Sequence, residues 1–238
     1  MNAIETKQLD FSYGRNKLIQ NLNVEVPQGS VYGYIGKNGA GKTTTIKLLL
    51  GLLPSRRDSI FYNGKEFHKN RTELLSRIGN LVEKPSLYNH LTCAEQLQYL
   101  DYIYKKGNQR IDEILDMVGL LKDKDKKIKQ LSTGMKQRLG IGMAIFHNPE
   151  ILILDEPING LDPYGVHDVR ELILKLHRDG KTIFISSHIL SEMEKICTHI
   201  GIINEGRLLF QGEMSELRQK AQNNDLETVY MNIIDEKQ

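Results

Sequence analysis

The residues Gly36-Lys37-Asn38-Gly39-Ala40-Gly41-Lys42-Thr43-Thr44 have the types and spacing of a phosphate-binding loop, G-x-x-x-x-G-K-[ST]. Glycines let a backbone turn tightly and bring its N–H groups close to an anion. A helix that starts directly behind such a loop adds unpaired N–H donors and the positive end of its dipole. In this pattern Lys42 reaches the β- and γ-phosphates, and the Thr43 hydroxyl can ligate Mg²⁺. A glycine-rich turn without a ligand is the bland alternative. Against it stands the order of strand-like run (Val31 to Ile35), loop, Lys-Thr and helix-like run (Thr44 to Leu50). Alone, the loop says only that a nucleoside triphosphate binds.

Other residues add chemistry. Asp155 and Glu156 close the apolar run Ile151-Leu152-Ile153-Leu154. Strand ends are where ligand sites of open α/β sheets gather. An Asp there can hold Mg²⁺ directly or through water. The adjacent Glu points differently and can orient or deprotonate an attacking water. A solvent-facing acid pair is the alternative, and a complete phosphate loop in the same chain weakens it. His188 follows Ser186-Ser187 at the end of another apolar run; it reads equally as a γ-phosphate contact or as an ordinary helix N-terminal residue. Ser132, in Leu131-Ser132-Thr133-Gly134-Met135, is a good N-cap, and its helix start is an anion-binding candidate or a plain cap. Tyr13, just before Gly14, is a strand-end aromatic or a platform for a purine base, and its position leaves both open.

These residues need elements to hold them. Ile4 to Leu9, Phe11 to Gly14 and the alternating Leu22, Val24 and Val26 predict N-terminal strands. Gly51 and Pro54 stop the helix behind the loop. A strand is expected over Ser59 to Gly64, a short helix over Thr72 to Arg77, and a strand over Ile78 to Glu83. From there to about Asn148 the pattern turns helical. Thr92 with Glu95 has capping-box spacing ahead of a helix to Lys105. Ile111, Ile114, Leu115, Val118 and Leu121 share a helical face that reads as core. Lys122 to Lys129 reads as a solvated loop, and Ser132 heads a helix to about Phe146. The short apolar runs Ile151 to Glu156 and Thr182 to Ser186 predict strands buried on both faces of a parallel sheet. Pro163 to Asp179 and Ile189 to Ile196 are expected helices. His199 to Phe210 is an expected hairpin, and Glu213 to Gln238 a tail of two helical pieces, the second centred on Leu226, Val229, Tyr230 and Ile233.

Composition bounds the function. The chain has 238 residues, 39% apolar and 26% charged, with a formal net charge of +2. That suits a soluble globular protein and gives no basic stripe, so nucleic acid is not an expected partner. Cys93 and Cys197 are isolated and read as reduced packing residues. No signal-like start is present. The longest apolar stretch, Ile46 to Leu53, contains Lys47 and falls far short of the ~20 residues of a membrane helix.

Together the motifs resemble the nucleotide-binding subunit of an ATP-binding cassette (ABC) transporter, over about Ile4 to Gly212. Five motifs stand in family order: the phosphate loop, the carboxylate loop at Glu83, the signature Leu131 to Met135, the acidic strand Ile151 to Glu156, and the coupling loop Gly160-Leu161-Asp162-Pro163 followed by the switch His188. Tyr13 matches the family's adenine-stacking aromatic. The resemblance implies an α/β phosphate-loop NTPase fold with a mainly parallel sheet, an N-terminal antiparallel β subdomain and an inserted all-helical subdomain. The cassette would span 1–212, with the helical lobe at about 85–148 and a helical tail at 213–238.

By the same resemblance the chain is an ATPase using ATP and Mg²⁺. Two subunits, two copies or this chain with a related one, would close head-to-tail around two ATP. Each nucleotide would lie between one phosphate loop and the other subunit's Ser132 and Gly134. Glu156 would be the general base, His188 the γ-phosphate contact, and Asp162 a link between the sites. Closure would drive a separate transmembrane permease, placing the chain on the cytoplasmic face of the cell membrane. Two departures point to one branch. Glu83 stands where the family usually has Gln, and Leu-Ser-Thr-Gly-Met replaces Leu-Ser-Gly-Gly-Gln. Glu83 can still accept from water and contact Mg²⁺. Both features are similar to the ATPases of bacitracin-resistance and lantibiotic-immunity exporters, which implies export of an antimicrobial peptide or drug. A soluble cassette ATPase that remodels a cytosolic or ribosomal partner is the alternative, but such members usually carry two cassettes and a charged linker. A regulator without turnover is a third reading, opposed by the presence of Lys42, Asp155, Glu156 and His188 together.

Overall fold

The computed structural model describes residues 1–221 and 225–235. Four strands come first: β1 (Asn2–Thr6), β2 (Leu9–Tyr13), β3 (Asn16–Leu22) and β4 (Glu25–Pro27). The single strand expected over Ile4 to Leu9 is in fact broken, because Gln8 takes a left-handed backbone at φ 46°. β1 therefore joins one sheet and β2 another. Next come β5 (Val31–Ile35), α1 (Lys42–Leu49), β6 (Ile60–Tyr62), β7 (Lys65–Glu66), α2 (Arg71–Leu75) and β8 (Ile78–Leu81). Between β8 and the next strand the helices are α3 (Cys93–Tyr104), α4 (Asn108–Met117) and α5 (Thr133–Ile145), with short 3₁₀ turns at Leu121–Asp123 and Ile128–Gln130. β9 (Ile151–Asp155), α6 (Pro163–Arg178), β10 (Thr182–Ser187), α7 (Leu190–Met193), β11 (His199–Asn204) and β12 (Arg207–Glu213) follow, then α8 (Met214–Ala221) and α9 (Leu226–Asp235).

Three sheets result. The central one has the order β12-β11-β5-β10-β9-β8, and every neighbouring pair is parallel except the β11–β12 hairpin. A four-stranded antiparallel sheet has the order β4-β1-β6-β7, and β2 pairs only with β3. This is the phosphate-loop NTPase fold with a mainly parallel sheet and an antiparallel N-terminal part.

The central strands are apolar on both faces, so alternate residues enter different cores. Val31, Ile35, Leu152, Leu154, Ile183 and Ile185 pack toward α3–α7 and the tail. Tyr32, Tyr34, Ile151, Ile153 and Phe184 pack toward α1 and the antiparallel sheet. On that second side the Phe184 ring lies 5.6 Å from Tyr32 and 5.2 Å from Tyr34. Burying both faces fixes strand register, and with it the level at which β5, β9 and β10 end.

Helix ends follow local chemistry. Thr92 and Glu95 form the expected capping box on α3: the Thr92 hydroxyl accepts from the Glu95 N–H at 3.1 Å, and the Glu95 carboxylate from the Thr92 N–H at 2.7 Å. Leu121 is a correction. The helix ends earlier, at Val118 and Gly119, and Leu121 opens a 3₁₀ turn with 37% of its surface exposed. The stretch Lys122 to Lys129 is more ordered than a solvated loop, because Ile128 is fully buried. The helix expected over Ile189 to Ile196 is reduced to Leu190–Met193. The hairpin runs past Phe210 to Glu213. In the tail, α9 buries Leu226, Val229 and Ile234, while Tyr230 and Ile233 are half-buried. Residues 222–224 and 236–238 of that expected tail lie outside the described residues. Among the described residues no helix is long and apolar enough to cross a membrane.

Candidate functional site

β5, β9 and β10 end together, and their C-terminal edges assemble the site. The phosphate loop leaves β5 and enters α1 through Gly41, whose φ of 109° disfavours any side chain. A Cβ there would also lie 2.8 Å from Ile19 Cδ1 of the β2–β3 hairpin. Loop and hairpin therefore pack closely because position 41 is glycine. Behind the loop, the Gly206 N–H donates to the Ala40 carbonyl at 2.9 Å. Asn38, Gly39, Gly41, Lys42, Thr43 and Thr44 line a cleft of about 420 Å³ with Leu18, Glu156 and Asn159. Ala40, also expected to hold nucleotide, is buried behind this lining.

Lys42 is only 6% exposed. Its Nζ donates to the Gly36 carbonyl at 2.7 Å and the Lys37 carbonyl at 3.2 Å, and lies 3.2 Å from Glu156 Oε1. A buried ammonium needs such partners. The other Glu156 oxygen, Oε2, is 2.9 Å from His188 Nδ1. One carboxylate thus bridges the phosphate-loop lysine and the histidine after β10. Glu156 itself has a left-handed backbone, φ 48°, and its N–H donates to Ser186 Oγ at 2.9 Å. The turn directs Glu156 away from the side taken by Asp155.

Asp155 is buried at the end of β9. Its Oδ2 accepts from Thr43 Oγ1 at 2.9 Å, and its Oδ1 from Ser186 Oγ at 2.5 Å. Two ligands on adjacent corners of an octahedron with bonds of ~2.0–2.1 Å lie about 2.9 Å apart. Thr43 Oγ1 and Asp155 Oδ2 therefore fit Mg²⁺, an ion that takes few protein oxygens and fills its shell with water and phosphate.

Glu83 takes a left-handed backbone, φ 60°, just after β8. It lines a second cleft of about 510 Å³ with Thr43, Thr133, Gln137, Asp155 and Glu156. Its Oε1 accepts from Lys47 Nζ at 2.7 Å. That hydrogen bond holds the Glu83 carboxyl below the usual range and raises Lys47 above its own.

Four expected residues, Tyr13, Ser132, Gly134 and Asp162, stand apart from both linings. Ser132 caps α5, its Oγ accepting from the Met135 N–H at 3.2 Å. Asp162 caps α6, its Oδ1 accepting from the Gly165 N–H at 2.7 Å. Gly134 joins the two caps, for a Cβ on it would sit 3.4 Å from Gly165 Cα. Tyr13 is 56% exposed at the end of β2, supported edge-on by Phe11 at 4.8 Å.

Three residues escaped the sequence reading. Ser186 is fully buried and serves both acids; the Ser186-Ser187 pair that closes an apolar strand is the signal, since a buried polar group has a partner. Lys47 was visible only as a charge on an apolar helix. Asn159 lines both clefts, and nothing in its spacing marks it.

Fold and site define a nucleotide-hydrolysing cassette, and the comparisons agree. The ABC transporter family model matches residues 19–159. The chain belongs to the ABC transporter family, as an ATP-binding subunit whose ATP hydrolysis serves transport. It is 48% identical to the bacitracin transport ATP-binding protein BcrA of Bacillus licheniformis, over 91% of this chain and 72% of that one. With the lantibiotic transport ATP-binding protein SrtF of Streptococcus pyogenes it shares 40% identity over 88% of this chain and 90% of the other. A solved ATP-binding subunit of an ABC transporter superposes with a TM-score of 0.85 at 29% identity, covering 98% of this chain and 99% of its own.

Proposed function

We propose that this chain powers the export of an antimicrobial peptide or drug through a separate membrane permease, by closing head-to-tail with a second cassette around ATP. The chain Lys42–Glu156–His188, beside the Thr43–Asp155 pair, is the observation that carries the mechanism. The substrate class rests on the bacitracin and lantibiotic relatives, together with Glu83, Thr133 and Met135.

In this reading the triphosphate lies along the phosphate loop, with Asn38 to Thr44 around it and the adenine against Tyr13. Lys42 exchanges its contact with Glu156 for the β- and γ-phosphates. Thr43 and Asp155, with Glu83 at the cleft, would hold Mg²⁺, which supplies charge neutralisation of the phosphates. Glu156, freed from Lys42, accepts a proton from the attacking water, and His188 orients that carboxylate and contacts the γ-phosphate. Ser132 and Gly134 of one subunit offer the α5 N-terminus to the nucleotide of the other. Asp162, tied to the same pair of caps, carries the state of one site to the next. The ATPase subunits sit on the cytoplasmic face of the membrane, held there by the permease that spans it.

Gel filtration of Glu156→Gln with and without Mg–ATP tests this reading. The expected result is a monomer that becomes a dimer with nucleotide, and a Ser132→Ala, Glu156→Gln double variant that stays monomeric. A dimer that forms equally without Ser132 removes the head-to-tail arrangement.

A further inference from the structure

Glu83 enters the mechanism above at the Mg²⁺ cleft; its partner Lys47 does not, yet the place of Lys47 is telling. Lys47 lies one helical turn after Thr43 on α1, so both side chains leave the same face. The Thr43 hydroxyl meets Asp155 there, and Lys47 meets Glu83 at 2.7 Å. Glu83 lines the cleft that also contains Thr43, Asp155 and Glu156. A third carboxylate thus stands beside two others, at a site that must accept a triphosphate. Like charges in one site repel, and a nearby cation offsets them. Lys84 and Lys136 also line this cleft, but Lys47 is the cation bonded to the Glu83 carboxylate.

We propose that Lys47 is a positioning residue: it holds the Glu83 carboxylate and supplies the counter-charge that lets a carboxylate occupy this cleft while Mg–ATP binds. The pair also ties α1, directly behind the phosphate loop, to the chain that leaves β8 for the helical lobe. The inference rests on the proposed seat of Mg–ATP between Thr43 and Asp155. A neutral residue at position 83 would not need Lys47, so the two positions are expected to be energetically coupled. Independent roles would make them additive.

A double-mutant cycle tests this with wild type, Lys47→Met, Glu83→Gln and the double variant. Binding of a fluorescent ATP analogue is measured with Mg²⁺, beside kcat and KM, and thermal melting of each protein checks folding. Lys47→Met is expected to raise Kd and KM about fivefold, the upper end for a half-exposed pair, with a smaller change in kcat. Adding Glu83→Gln should return Kd to within about twofold of wild type. Lys47→Arg should behave as wild type, since a guanidinium reaches the same carboxylate. An equal effect of Lys47→Met in both backgrounds, or no effect in either, overturns the proposal. Lys42→Ala separates the two levels. If it leaves nucleotide binding intact, the seat of ATP is wrong. If it abolishes binding while the cycle is additive, only the role of Lys47 is.

Discussion

The phosphate-loop site and the helix start at Ser132 are built differently. At the phosphate loop, residues far apart in sequence are joined by a closed set of contacts. Thr43, Asp155, Ser186, Glu156, Lys42 and His188 are each bonded to at least one other member. At the signature end, Ser132 and Asp162 bond only to the backbone of their own helices, and Gly134 and Gly165 meet as bare backbone. The first region is a site that one chain completes. The second is a pair of helix caps whose side chains satisfy the helix and leave its N-terminus available. The contrast teaches that catalysis and control are separable here: changes in the first region should alter nucleotide binding by a single subunit, and changes in the second only nucleotide binding by a pair.

The largest effect is expected at Glu156. Replacement by Gln keeps the shape and removes the base, so turnover measured by phosphate release should fall about 10²–10⁴-fold. Nucleotide affinity should hold or rise, because Glu156 no longer competes for Lys42 Nζ, now 3.2 Å away. Unchanged turnover would take the base role from Glu156 and leave it as a structural partner of Lys42 and His188.

A smaller effect, on stability as well as rate, is expected at Ser186. Its hydroxyl donates to Asp155 and accepts from the Glu156 N–H inside a fully buried strand. Ser186→Ala removes a hydrogen bond to a charged group, worth about 1.5–3 kcal/mol in a urea melt. Turnover should fall in the same variant, since both acids lose a support. A stability loss of that size with normal turnover would show that the cluster is scaffold only.

The two regions also differed in how far the sequence revealed them. The phosphate loop was legible because its chemistry is local: Gly36 to Thr44 must be contiguous for backbone N–H groups to surround an anion. Buried parallel strands were legible from Ile151 to Leu154 and from Thr182 to Ile185, because a sheet covered on both faces tolerates no polar alternation. Ser186, Lys47 and Asn159 were not legible, for their roles arise from register between strands and helices distant in sequence. Ser186 reaches Asp155 across 31 positions, and Lys47 reaches Glu83 across 36. Helix ends failed for another reason. Leu121 kept the apolar period of α4 after Gly119, at φ 68°, had already ended the helix. Gln8 broke a strand that composition made continuous, since a single left-handed residue leaves no mark on hydrophobic periodicity.

The smallest expected effect is also the sharpest test of the contrast. Ser132 accepts one hydrogen bond, from the Met135 N–H at 3.2 Å. Removing such a cap costs about 1 kcal/mol of stability. In a lone subunit, Ser132→Ala should therefore lower the urea midpoint slightly and leave ATP affinity unchanged, because Ser132 lines neither cleft of its own chain. Gly134 adds no side chain at the same helix start, so the Met135 N–H that the Ser132 hydroxyl would release is left for an anion. In the proposed pair, a second subunit's nucleotide would be that anion, suited by charge and by the helix dipole. Weaker ATP binding by the monomeric variant would mean that Ser132 serves its own site, and the division between the two regions would fail.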